Sequence, residues 1–223
     1  MYREIRAKVH SETEEGTFFY VLVPNERLSD QVRKYTDSKI LNGELRIDDG
    51  RTIRADQRKK AWAMLGDISK WNGDDKEVNH WWLKTDYTTE ANIPMFSLSD
   101  CSVTTARMYI NFLINFCLAW DVPLSEPLLD RTDDIDAALF YALMNKKCVC
   151  CGGKGELHHV DHVGMGNNRK KIIHLGMRVM CLCREHHTEV GNIGQKSFDE
   201  KHKVYGIVAT KEICKVWELK AEE

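Results

Sequence analysis

The fold of this chain is decided by a stretch that begins with Cys148-Val149-Cys150-Cys151, continues through Leu157-His158-His159-Val160-Asp161-His162 and ends with Cys183-Arg184-Glu185-His186-His187. A Cys-x2-Cys turn points two thiolates at one ion, and a Cys-x2-His turn can complete a tetrahedral zinc site. The spacing therefore predicts one structural Zn²⁺ with four ligands: Cys148, Cys151, Cys183 and His186. Cys150 and Cys181 compete as ligands, but each breaks the two-residue spacing on its own side.

The histidines between and beside these cysteines exceed what one zinc ion needs. His158 and His159 are adjacent in a predicted strand, so their side chains point to opposite faces and can take different roles. One could bind a second metal ion while the other takes a proton from water, and His187 could reach the same ion from the following helix. The pair Asp161-His162 could do this work instead, and any one of these histidines could simply satisfy a local hydrogen bond.

Composition places few limits on the chain. Its 223 residues suit one large domain or two small ones, and its hydrophobic and charged fractions of 43% and 30% are those of an ordinary globular protein. The longest apolar stretch, 108–120, is interrupted by Asn111 and Asn115, which predicts a buried helix and no membrane contact. Eight cysteines without a signal-peptide core favour metal ligation in a reducing cytosol. Three further cysteines in apolar settings are expected to be buried thiols: Cys101, Cys117 and Cys214.

Charge and hydrophobic patterning predict an α+β fold with a functional C-terminal part. From Lys146 onward the chain has 14 Lys and Arg against 10 Asp and Glu, whereas residues 1–145 have 18 against 24. A basic C-terminal part is suited to phosphate contact. The predicted elements are strands over 2–10, 17–23 and 43–47, and helices over 24–35, 53–71, about 100–120 (capped by Ser99 or Asp100) and 133–145, with 79–96 irregular. We therefore expect an N-terminal α+β domain over 1–125, a helical linker over 126–145 and a small zinc-stabilised domain over 146–223.

The segment from Cys148 to Gly194 resembles the HNH, or ββα-metal, endonucleases, specifically the phage-type branch with zinc knuckles. The resemblance implies hydrolysis of DNA phosphodiester bonds with Mg²⁺ or Mn²⁺. It implies that His158 is the first metal ligand, His159 the general base and His187 the second metal ligand. Asp161 would orient the base or assist the metal.

Two positions depart from the HNH pattern. The middle position, usually Asn, falls near Arg178, with His174 also nearby, and many members have a second helix histidine where this chain has Gly191. These departures leave open a non-catalytic, zinc-containing adaptor that binds single-stranded DNA in recombination. A zinc-finger transcription factor is disfavoured, because the histidines exceed the needs of zinc and no recognition helix is evident.

Basic residues of the C-terminal part are expected to contact DNA phosphates. Three of them, Arg169, Lys170 and Lys171, follow a glycine-rich loop that begins at Gly164. Arg178 is the fourth.

The N-terminal part carries a second, less specific resemblance. The charged run 56–59 precedes Trp62 and Leu65-Gly66-Asp67-Ile68, and Phe96–Asp100 precedes a long aromatic helix. Over residues 50–120 this order is similar to the phage recombination mediators of the lambda Orf (NinB) family. The similarity implies a phage-encoded protein of the bacterial cytoplasm that binds single-stranded DNA and single-strand-binding protein, often as a homodimer.

Single-strand binding needs cations for phosphates and aromatic rings for bases. The candidate residues are Arg54, Arg58, Lys59, Trp81 and Trp82. The tryptophans could instead pack in the core.

Overall fold

The computed structural model describes residues 6–14, 16–22, 51–161 and 172–221. The helix predicted over 24–35, the strand predicted over 43–47, His162 and the basic residues Arg169, Lys170 and Lys171 lie outside these residues. The chain divides into two compact units, one of residues 1–49 and 88–94 and the other of residues 50–87 and 95–223.

In the smaller unit, the described residues near the N-terminus form an antiparallel hairpin. Strand β1 (Arg6–Thr13) pairs with β2 (Gly16–Leu22), and an irregularity between Val9 and Ser11 shifts the register. The two strands predicted here are confirmed within the described residues.

From residue 51 onward, the elements formed by the described residues are α1 (Ala55–Asn72), α2 (Lys76–Ala91), α3 (Val103–Ala119), α4 (Leu128–Arg131), α5 (Ile135–Met144), β3 (Glu156–His159), β4 (Arg178–Leu182), α6 (Arg184–Ile193), α7 (Gln195–His202), β5 (Ile207–Val208) and α8 (Lys211–Val216). The α+β class is therefore confirmed. Among the described helices, none has the length and apolar character to cross a membrane.

The core of the larger unit forms where α1 packs on α3, and α3 on α5. Leu65 and Ile68 of α1 are fully buried, as the helical spacing predicts, and so are Tyr109 and Leu113 of α3. The predicted N-cap of α3, Ser99 or Asp100, lies two or three residues too early. The observed N-cap is Ser102, whose hydroxyl accepts a hydrogen bond from the Thr105 backbone N–H at 3.0 Å.

The predicted cap residues lie instead in a turn before α3. Cys101 N–H donates to Ser97 O at 3.0 Å, and the Arg58 guanidinium donates to Leu98 O at 2.6 Å and to Ser99 O at 2.8 Å. These bonds stabilise a turn where the sequence predicts the first turn of a helix.

The prediction that residues 79–96 are irregular is wrong, because most of them belong to α2. Asn79, Leu83 and Tyr87 are buried at four-residue spacing, which places them on one face of the helix. Trp81 and Trp82 lie on the exposed side, with 53% and 57% of their surface accessible. Two large aromatic residues in solvent obscured the helical stripe, and the alternative that these tryptophans pack in the core is wrong.

A buried ion pair connects α1 to α4. The Arg131 guanidinium lies 3.2 Å from the Asp67 carboxylate, and the two side chains are 5% and 3% exposed. The same carboxylate accepts hydrogen bonds from Ser125 N–H and Oγ–H at 3.1 and 3.0 Å. These contacts span the predicted domain boundary near residue 125, and independent folding of residues 1–125 stays a prediction.

The C-terminal part has a ββα arrangement. Strand β4 lies between β3 and β5 in an antiparallel sheet, with His158 opposite Met180 and His159 opposite Val179. Helix α6 begins directly after β4, with Cys183 as its N-cap. A cluster around Leu143, Val179 and Ile213 packs α5 and α8 against β4, which fixes the scaffold that carries the candidate site.

Candidate metal centre and active site

The first cysteine pair lies in a tight knuckle between α5 and β3. Cys148 N–H donates to Gly153 O at 2.7 Å, and Gly152 N–H donates to Cys148 O at 2.8 Å. Gly152 has a φ of +73°, a left-handed conformation that glycine adopts at little cost. Gly155 admits no side chain, because a Cβ there would overlap Cys181 Sγ. The glycines therefore let the chain turn back with both thiols on one side.

The four predicted zinc ligands come together as one cluster. Their ligand atoms all lie within 4.8 Å of one another. The sulfur–sulfur distance from Cys151 to Cys183 is 3.7 Å, and His186 Nδ1 lies 3.6 Å from Cys148 Sγ and 3.0 Å from Cys183 Sγ. Tetrahedral zinc with bonds of roughly 2.0 to 2.3 Å requires ligand separations of roughly 3.3 to 3.8 Å. This Cys₃His set can hold a metal ion, and its donors and spacing fit zinc.

Two further residues lie beside this cluster. Cys150 and His202 form a second group of possible ligands that shares His186 with the first. A hydrogen bond with Cys150, opposed by burial, lowers the pKa of the Cys148 thiol to about 4. The thiolate is the form that binds metal. Cys150 therefore stabilises a ligand without belonging to the predicted four.

His158 of β3 and His187 of α6 lie close together. The nitrogen–nitrogen distance from His158 Nδ1 to His187 Nε2 is 3.3 Å, with the rings nearly perpendicular. Two imidazoles bound to one ion at roughly 2.0 to 2.1 Å have a nitrogen–nitrogen separation of roughly 3 to 3.4 Å. The pair therefore fits a shared cation, with further coordination positions left for water and phosphate.

A residue that the sequence does not reveal completes this arrangement. His158 Nε2 lies 2.8 Å from Gln195 Oε1, and Gln195 Nε2–H donates to the Asp199 carboxylate at 2.7 Å. Gln195 follows His187 by eight positions and lies on a different helix. This spacing is not typical of a metal site, so the sequence did not predict a role for Gln195.

His159 points away from His158, as adjacent strand positions require. Its ring lies against the ring of His174, with 5.1 Å between centroids, and its Nε2 atom is shielded from solvent. His174 is only 3% exposed, and its backbone N–H donates to Lys220 O at 2.8 Å. His174, not Arg178, is thus the middle-segment residue that lies beside the predicted base.

Asp161 is held by Arg178. Its carboxylate accepts hydrogen bonds from the Arg178 backbone N–H at 2.6 Å and from the guanidinium at 2.9 and 2.7 Å. Asp161 in turn raises the pKa of that guanidinium. Asp161 was expected to orient the base or assist the metal, and Arg178 was expected to contact DNA. The structure pairs these two residues with each other.

The predicted DNA-binding residues of α1 differ in their availability. Arg54 lies 3.2 Å from Asp56 and 3.3 Å from Asp133, and Arg58 holds the turn before α3. Lys59 is exposed. The exposed rings of Trp81 and Trp82 contact each other edge to face, with centroids 4.8 Å apart.

Comparison with known proteins identifies a family. The sequence matches the profile of the family described as "Putative HNHc nuclease" over residues 29–221. Searches of curated proteins and of solved structures gave no significant match. The matched region covers well over half of the chain and includes both the Cys/His cluster and the paired histidines. The chain therefore belongs to this HNH nuclease family.

Proposed function

We propose that this protein is a metal-dependent endonuclease that hydrolyses phosphodiester bonds in DNA. The observation that carries the proposal is the 3.3 Å approach of His158 Nδ1 to His187 Nε2 on a ββα scaffold. Family membership makes a nuclease the class of enzyme to expect there. In this proposal His158 and His187 hold Mg²⁺ or Mn²⁺, and His159 is the general base.

The choice of His158-His159 over Asp161-His162 rests on the contacts that His158 and Asp161 make. His158 is within reach of His187, whereas the Asp161 carboxylate is directed at Arg178. Asp161 then acts through Arg178, by stabilising the chain where β4 begins.

In the proposed reaction, the cation held by His158 and His187 and the general base His159 have separate roles. A divalent cation at His158 and His187 would stabilise the negative charge that develops on the leaving oxygen. His159 accepts a proton from water, whose oxygen forms a new bond to phosphorus while the bond to the leaving oxygen breaks. The leaving oxygen takes a proton from solvent. His174, packed on the base, limits the orientations of its ring.

The Cys₃His cluster is proposed to hold zinc with a structural role. It links the knuckle after α5 to the start of α6, the helix that carries His187. Three thiolates and one imidazole fill the four positions of tetrahedral zinc, which leaves none for substrate.

The wider role in phage recombination is also part of the proposal. Exposed Trp81 and Trp82 support contact with the bases of single-stranded or branched DNA, and exposed Lys59 supports phosphate contact. Single-strand-binding protein as a partner, a homodimer and the cytoplasm of a bacterial host follow from the Orf-like sequence alone.

Cleavage assays test the proposal directly. Purified full-length protein loaded with zinc should cut single-stranded, duplex or branched DNA when Mg²⁺ or Mn²⁺ is added, and should not cut without added ions. Trp82→Ala should weaken binding to single strands, whereas Thr89→Ala, an exposed control on the same helix, should not. Binding of DNA without cleavage under every metal condition would favour the recombination adaptor over the nuclease.

A further inference from the structure

We infer that Gln195 and Asp199 set the tautomer of His158, so that His158 presents Nδ1 to the catalytic cation. This inference rests on the proposed function, because it assigns a role at the same His158–His187 site. Gln195 and Asp199 are positioning residues, since they act through His158.

The direction of each hydrogen bond follows from the chemistry of Asp199. A carboxylate only accepts hydrogen bonds, so the Gln195 atom that faces it at 2.7 Å must be the amide NH₂. The Gln195 atom that faces His158 at 2.8 Å is therefore the carbonyl oxygen, which also only accepts. His158 Nε2 must then carry the hydrogen.

The tautomer decides which nitrogen can bind a cation. Neutral imidazole has one N–H and one lone pair, so a hydrogen on Nε2 leaves the lone pair on Nδ1. His158 Nδ1 is the atom that faces His187 Nε2 at 3.3 Å. The chain Asp199–Gln195–His158 therefore directs a lone pair at the space that the two imidazoles share. In the opposite tautomer, Nδ1 would carry the hydrogen and could not bind metal.

The local fold holds this chain of hydrogen bonds in place. Gly194, with a φ of +82°, joins α6 to α7, and Gln195 is the first residue of α7. Asp199 lies four residues later, on the same face of the helix. The side chains of Gln195 and His158 are partly buried, which limits competition from water. Residues that hydrogen-bond a metal-binding histidine typically change metal affinity about 10- to 100-fold when they are mutated.

The test measures the tautomer and the affinity for Mn²⁺ in zinc-loaded, full-length protein. Long-range ¹⁵N–¹H NMR of the metal-free site should show His158 with hydrogen on Nε2. Gln195→Met removes the acceptor at similar length, so it should yield a mixture of tautomers and raise the Mn²⁺ dissociation constant about 10- to 100-fold. Gln195→Glu combined with Asp199→Asn keeps an oxygen facing His158, because the Asn amide N–H can donate to the other Glu oxygen, and should keep the tautomer.

Asp199→Ala should also yield a mixture of His158 tautomers, because it removes the group that orients the Gln195 amide. Glu200→Gln, an exposed neighbour on α7, is the matched control and should change neither measurement. Hydrogen on Nδ1 in the wild type, or unchanged Mn²⁺ affinity in Gln195→Met, would overturn the inference. Wild-type protein that shows the Nε2 tautomer and binds Mn²⁺ but cuts no DNA would contradict the proposed nuclease and support the inference.

Discussion

Loss of one zinc ligand should release the metal and loosen the active site. Cys183 is a ligand of the Cys₃His cluster and also the N-cap of α6, the helix that carries His187. In Cys183→Ser, a hydroxyl replaces the thiolate at this junction. We expect weaker zinc binding, a lower melting temperature and weaker binding of the catalytic cation, since His187 lies four residues further along the chain.

The size of the effect follows from the geometry of the cluster. Its ligand atoms all lie within 4.8 Å of one another, close to the arrangement around one tetrahedral ion. Structural zinc sites of this type bind with about 10 to 16 kcal/mol, so one of four ligands contributes roughly a quarter, about 2.5 to 4 kcal/mol. At about 1.4 kcal/mol for each factor of ten, zinc affinity should fall about 100- to 1,000-fold.

The assay is competition for zinc against a chromophoric chelator, with metal content measured by mass spectrometry. Wild-type protein should contain one zinc per chain. Cys150→Ser is the matched control, because Cys150 lies outside the four predicted ligands and a serine hydroxyl can still donate a hydrogen bond to the Cys148 sulfur. Well-folded wild-type protein without zinc would contradict the proposed zinc site. So would Cys150→Ser that loses zinc as readily as Cys183→Ser does.

Three further predictions concern stability. Arg131→Met should cost about 3 to 5 kcal/mol in chemical denaturation, because it removes the buried cation from the Asp67 carboxylate and leaves only the exposed Lys70 ammonium at 3.7 Å; a loss below about 1 kcal/mol would contradict this. Gly155→Ala should lower the free energy of unfolding by about 1 to 3 kcal/mol in the same assay, since the added methyl group overlaps Cys181 Sγ. Stability equal to that of the wild type would contradict this, because it would show that the knuckle can move to admit the methyl group. Burial, and secondarily Lys84, lowers the pKa of His80 from 6.5 to about 4, so the unfolded chain takes up a proton between these pH values that the folded chain does not. Stability should therefore fall as the pH drops from about 6.5 to about 4, and His80→Phe should show a smaller fall; identical pH profiles would assign the loss to other groups.

The features that were predictable from sequence are those set by short-range chemistry. The four residues of the Cys₃His cluster were predictable because a metal site constrains the spacing of cysteine and histidine, and the structure brings these residues together. Helix α1 was predicted because its buried residues recur at helical spacing. His158 and His187 approach each other as the HNH resemblance implies.

The features that were missed depend on tertiary contacts. Helix α2 was not recognised, because Trp81 and Trp82 are exposed and only the opposite face is buried. The positioning role of Gln195 depends on how α7 folds back towards β3, which no local pattern encodes. Arg58 was assigned to DNA from its charge, yet it holds backbone carbonyls of the turn before α3. A charge pattern alone does not distinguish an arginine that contacts DNA from one that stabilises a turn within the fold.

In the proposed mechanism, His159 is the general base, and His158 and His187 bind the catalytic cation. The most direct measurement is the single-turnover rate of DNA cleavage across a Mn²⁺ titration. His159→Ala should lower the rate at saturating Mn²⁺ by about two to four orders of magnitude, with zinc content, folding and the Mn²⁺ midpoint unchanged. His187→Ala should instead move the midpoint to higher Mn²⁺, because it removes a ligand. A rate in His159→Ala equal to that of the wild type would contradict this mechanism and place the base at His162.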